Sequence, residues 1–194
     1  MSQGAAQALN ERGISAQFLE GGIAHWAEDG GAVTAKPAGA HSRWVTRERP
    51  KIDRIACPWL ISRFIEREAE FLYVPTADVR RVAAERGATA YDVPDVQFTH
   101  DGDQCSFDAF VKTYRLGSDP ALAQLATIVR GADTGNLALA PQASGLLAVS
   151  LGLSRLYADD LQMLQQGMIV YDALYLWCKE GQSETHTWNP DAYR

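Results

Sequence analysis

The chain has 194 residues, 46% of them hydrophobic and 22% charged, with a formal net charge of -6 and three cysteines. That content suits one well-buried core, as a single domain or one domain plus a fragment. The acidic balance argues against a general binder of the phosphate backbone, the odd cysteine count argues against a disulfide framework, and no apolar run approaches the roughly 18 residues that span a bilayer.

The first residues, Met1 to Asn10, are small and polar, without a basic stretch leading into an apolar one, so the expected location is the cytoplasm. Ala5 to Arg12 has helical composition and stops at Gly13, Ile14 to Leu19 reads as a short strand, and Gly22 to Glu28 as a second short helix. Gly30, Gly31, Lys36, Pro37, Gly39 and Ala40 mark a linker. The domain division is therefore expected near residue 40, with a fragment at 1–40 and the main domain at 41–194.

In the main domain Arg43 to Glu48 reads as a strand, and Pro58 as the first residue of a helix running to Glu66, where its missing N–H is not needed. Glu70 to Val74 reads as a strand and Ala77 to Arg86 as a helix closed by Gly87. Thr89 to Val93 and Val96 to His100, separated by Pro94 and Asp95, suggest a hairpin. Phe107, Phe110, Val111 and Tyr114 fall on one helical face, Asp119-Pro120 opens a helix to about Gly131, and Ser144 to Leu156 and Asp159 to Trp177 complete the set. No strand–helix alternation of the dinucleotide-binding kind is read. The expected fold class is α+β and helix-dominant, a small sheet or hairpin followed by a helical bundle.

Asp53-Arg54-Ile55-Ala56-Cys57-Pro58-Trp59 is the most informative stretch. With Pro58 opening a helix, Cys57 falls at the cap, where free N–H groups and the helix dipole favour a thiolate. Lys51 and Arg54 add positive charge, and together they suit a small oxyanion. The plain alternative is a small buried cysteine filling core space. Cys105 repeats the arrangement ahead of Ser106-Phe107-Asp108, with His100 five residues upstream. His100 and Cys105, with Asp133 as a further ligand, could hold a divalent transition metal. Their spacing is no recognised zinc pattern, and solvated turn aspartates explain Asp101 and Asp103 as simply. Arg130 either complements its helix C-terminus or faces inward, in which case it needs a carboxylate or a bound anion, and Asp133 is the nearest candidate.

Two stretches resemble known families. Ser2, Ala5-Ala6, Leu9, Gly13, Leu19-Glu20-Gly21-Gly22 and Trp26 resemble the C-terminal end of a rhodanese domain. That family's cysteine loop lies upstream of the position of Ser2, so this segment is expected not to transfer sulfur. Lys51-Ile52-Asp53-Arg54-Ile55-Ala56-Cys57-Pro58-Trp59-Leu60-Ile61, Cys105-Ser106-Phe107-Asp108 and Ile128-Val129-Arg130-Gly131-Ala132-Asp133-Thr134, extended by Gly152-Leu153 and Val170-Tyr171-Asp172-Ala173-Leu174-Tyr175, resemble the C-terminal domain of the bacterial ChrB chromate-resistance family. The resemblance implies a role in chromate resistance.

Three functions follow as expectations. In the first, an accessory or sensor domain recognises chromate or a similar tetrahedral oxyanion, with Lys51, Arg54 and Arg130 binding the anion and Cys57 and Cys105 as the reactive thiols. In the second, a metal-dependent enzyme holds a divalent ion on His100, Asp133 and Cys105. In the third, an interaction module carries no chemistry. DNA is not expected as a partner of this chain alone, nor is a membrane, and a homo-oligomer stays open.

Overall fold

The computed structural model describes residues 2–31 and 41–184, and the chain forms two compact units, Met1–Ala38 and Gly39–Arg194. Most of the expected linker lies outside the described residues. The smaller unit holds α1 (Ser2–Asn10) and α2 (Gly22–Glu28). Ile14 to Leu19, expected as a strand, forms none. Instead the Asn10 side chain donates to the Ala16 carbonyl and accepts its N–H, both at 2.9 Å, after Gly13 turns the chain at φ 78°.

The larger unit is helix-dominant α+β. Three parallel strands, β1 (Arg43–Arg47), β2 (Glu70–Val74) and β3 (Thr89–Ala90), lie in the order β2-β1-β3. The connections are α3 (Asp53–Leu60), prolonged by a π-helical turn over Ile61–Ile65, and α4 (Val79–Arg86). Strand–helix alternation is thus present over residues 43–90, contrary to the sequence reading. The sequence reading has an extended run at Thr89, but gives it to a hairpin with Val96 to His100 rather than to a parallel pairing with β1. Successive side chains of β1 serve opposite faces: Trp44 joins the main core, and Val45 a smaller one with Val79 and Val93.

The expected hairpin is also absent. Tyr91 and Phe98 meet in a parallel bridge, and Asp92 and Asp95 take φ values of 52° and 53°, which turn the chain into a loop. Phe98 anchors that loop, stacking on Phe110 at 4.1 Å and meeting Trp44 edge-on at 5.5 Å.

The bundle follows as α5 (Ser106–Thr113), α6 (Pro120–Asp133), α7 (Ala143–Leu156) and α8 (Asp160–Leu176). Asp119 caps α6 by accepting the N–H groups of Ala121 and Leu122, and Asp159 caps α8 at Gln162. Gly167 lets α8 approach α3, since a Cβ there would stand 2.7 Å from Ile55 Cγ2.

Pro58 sits inside α3, not at its start. A proline there cannot donate to the carbonyl four residues earlier, which belongs to Arg54. The Tyr73 hydroxyl donates to that carbonyl at 2.7 Å, with the Tyr91 hydroxyl at 3.5 Å. Side chains from the second strand and from the loop after the third therefore replace the missing helical bond, and the helix can begin at Asp53.

Candidate metal site

The site gathers four residues from three segments that are remote in sequence. Asp53 opens α3, Asp92 and His100 flank the loop after β3, and Asp133 closes α6. Ile52, just before Asp53, takes φ 28° and ψ -94°, a costly conformation for a β-branched residue. Its N–H donates to Ser150 Oγ at 3.2 Å and its carbonyl accepts the Tyr171 hydroxyl at 2.9 Å. The strained peptide is thereby fixed by α7 and α8, and it aims Asp53 inward.

His100 Nε2 lies 3.1 Å from Asp133 Oδ2, 3.5 Å from Asp92 Oδ1 and 3.6 Å from Asp53 Oδ2. The side chains of Asp53, Asp92 and Asp133 are 1%, 6% and 16% exposed, whereas His100 is 41% exposed and stands at the mouth. Ser106 serves two of the carboxylates: its N–H donates to Asp53 Oδ2 at 2.6 Å and its hydroxyl to Asp92 Oδ1 at 3.0 Å. The Asp53 N–H reaches Asp133 Oδ1 at 3.4 Å. Asp53 Oδ1 is buried and has no hydrogen-bond partner among the described residues.

Burial pushes the Asp53 carboxyl well above its ordinary value, and the charges of Asp133 and Asp92 push it further. The Cys105 thiol and the Ser106 N–H pull the other way. Asp133 is raised by burial and by Asp92, with His100 opposing. The guanidinium groups of Arg47 and Arg54 both address Asp92 Oδ2, at 2.9 and 3.3 Å. Oδ2 of Asp92 is thus occupied by two guanidiniums and its Oδ1 faces His100, whereas Asp53 and Asp133 face His100 with no arginine of their own among the described residues. Buried carboxylates crowded in this way favour a cation among them. Their oxygens and one imidazole nitrogen suit a hard or borderline divalent ion.

The structure brings His100 and Asp133 together and sets Cys105 beside them, its Sγ within 4.8 Å of carboxylate oxygens of Asp53 and Asp133. It does not assemble the expected anion site. Cys57 is in the interior of α3 rather than at its mouth, fully buried, and burial drives its thiol upward, away from thiolate. This corrects the placement read from Pro58, because the Tyr73 hydroxyl lets the helix start earlier. Cys105 does cap α5, and Asp108 Oδ2 accepts its N–H at 3.0 Å, but burial raises this thiol as well. Arg130 turns inward to Asp108, at 2.6 and 2.8 Å, and not to Asp133. Arg54 is held by Asp92 and by the Glu48 carbonyl at 2.9 Å, and Lys51 is exposed. Each of the two arginines expected to meet an anion already meets a carboxylate.

Sequence reasoning missed Asp53 and Asp92 as members of the cluster, together with Ser106 and Arg47. Asp53 lies in the stretch singled out for its cysteine, but nothing local marks Asp92.

The family model of the ChrB C-terminal domain matches residues 44–178. The chain belongs to the ChrB C-terminal domain family. It is 36% identical over 133 residues to Protein ChrB of Cupriavidus metallidurans, an alignment that covers 69% of this chain and 40% of that relative. The chain thus spans well under half the length of the ChrB protein it matches. No solved structure matches it. All four members of the cluster, Asp53, Asp92, His100 and Asp133, fall inside the ChrB-matched region. No helix among the described residues is long and apolar enough to cross a membrane.

Proposed function

We propose that this ChrB-type domain serves chromate resistance as a divalent-cation-binding domain, with His100, Asp133, Asp53 and Asp92 as the ligand set. One observation carries the reading: a single imidazole nitrogen faces two buried carboxylates and one half-buried one within 3.6 Å, while Asp53 Oδ1 stays without a partner. The exposure of His100 would leave one side of a bound ion open to water or substrate, as in catalytic ion sites. Calorimetric titration of the metal-free chain with Mn²⁺ tests it. The parent takes up the ion, and His100→Ala and Asp133→Asn weaken uptake; equal affinity in all three proteins would contradict the assignment.

A second reading keeps the oxyanion. A cavity of about 500 Å³ opens beside the cluster, lined by His100, Cys105, Gln104 and Lys112 among others. A tetrahedral dianion entering the bare cluster would meet three carboxylates, so chromate recognition here would run through the bound cation rather than through Arg54 and Arg130. Chromate would then bind only to the ion-loaded chain. Equal binding to the metal-free chain would exclude this route.

A further inference from the structure

Two ligand sets overlap at this site. Asp53, Asp92 and His100 form one, and Asp53, Cys105 and Asp133 form the other, each with its ligand atoms within 4.8 Å of one another. They differ in chemistry and depth. The first includes an imidazole at the mouth, whereas Cys105 is fully buried. Asp53 Oδ2 already serves the Ser106 N–H and faces His100, so the oxygen left without a partner is the buried Oδ1. A buried carboxylate oxygen with no donor is costly, and it calls for a cation or a proton.

We propose that Asp53, Asp133 and Cys105 form an inner position for a thiophilic divalent cation such as Cd²⁺. The proposal rests on the reading of the cluster as a cation site and adds a selection by softness. Hard ions settle by the carboxylates and His100, and soft ions reach inward to sulfur. Binding at the inner position breaks the Cys105 S–H bond, forms a metal–sulfur bond and releases the proton to solvent, with no change of oxidation state. The Cys105 backbone is already fixed by its place at the head of α5, where Asp108 accepts its N–H and Arg130 in turn holds Asp108. Arg130 is thus a positioning residue for the thiol.

The test is titration of the metal-free full chain with Cd²⁺, followed by sulfur-to-metal charge-transfer absorption. The band appears in the parent and is lost in Cys105→Ser. The same variant weakens Cd²⁺ binding by at least the roughly 10–100-fold that loss of an outer-shell partner costs, and weakens Mn²⁺ binding far less. X-ray absorption at the cadmium edge of the parent, which needs no variant, shows one sulfur among lighter ligands. Cd²⁺ bound without sulfur, a band that survives Cys105→Ser, or Mn²⁺ uptake without Cd²⁺ uptake would each overturn the inner position alone. Uptake of neither ion would bring down the cation reading itself.

Discussion

Arg54 Nε stands 3.3 Å from Asp92 Oδ2, the same oxygen that the Arg47 guanidinium reaches at 2.9 Å. The most prominent arginine in the chain is therefore a counter-ion to a buried carboxylate, which decides the sign of the site. Two guanidiniums on Asp92 cancel part of the negative charge, and Asp53 and Asp133 keep the rest.

Arg54→Ala follows from that pairing. It leaves Asp92 with one charged partner and costs about 1–3 kcal/mol of stability. A positive charge is also removed beside the cluster, so Mn²⁺ affinity rises several-fold at low ionic strength. Calorimetry reads the sign directly, since an anion site would lose affinity on the same substitution.

Asp53 carries a penalty that a substitution can relieve. Its carboxyl is raised in the folded chain, so the folded state binds more protons than the unfolded state from the ordinary value of 3.8 upward. Stability from this group falls as pH rises through that window, and the loss is complete above the folded value. Asp53→Asn removes the charge while its amide oxygen still accepts the Ser106 N–H. At neutral pH the Tm of the metal-free chain rises by about 2–4 °C for each kcal/mol recovered, and Mn²⁺ binding is lost. A lowered Tm would contradict this account.

Tyr73→Phe removes the hydroxyl that satisfies the Arg54 carbonyl at 2.7 Å, leaving only Tyr91 at 3.5 Å. Urea unfolding should show a loss of about 1–3 kcal/mol, because the acceptor freed by Pro58 is then without a close donor. An unchanged midpoint would mean that α3 is not held open in this way.

Gly167→Ala places a methyl group 2.7 Å from Ile55 Cγ2, two residues along α3 from Asp53. Overpacking at such a contact costs about 1–3 kcal/mol. Because the displaced helix carries Asp53, Mn²⁺ affinity falls with stability. A variant as stable as the parent would argue that α8 does not pack against α3 this closely.

The helix ends were legible because their signals are local. Asp119 before Pro120 and Asp159 before the last long helix need only their own neighbours to cap. Pro58 reads as a helix start for an equally local reason, yet α3 begins at Asp53, since the compensating donor comes from β2, fifteen residues further along the chain. The pairing of His100 with Asp133 could be guessed from residue type. Asp92 could not, because its carboxylate enters the cluster through a left-handed turn that a hairpin pattern does not predict. The same limit applies to Arg130: its partner Asp108 lies on another helix, and the nearer Asp133 in sequence is turned to His100.

An anomalous difference map from crystals of the chain grown with Mn²⁺ decides whether the cluster holds a cation. A peak is expected in bonding contact with His100 Nε2 and with carboxylate oxygens of Asp133 and its neighbours in the cluster. A map with no peak there, or with the ion only at surface carboxylates away from His100, would contradict the cation reading.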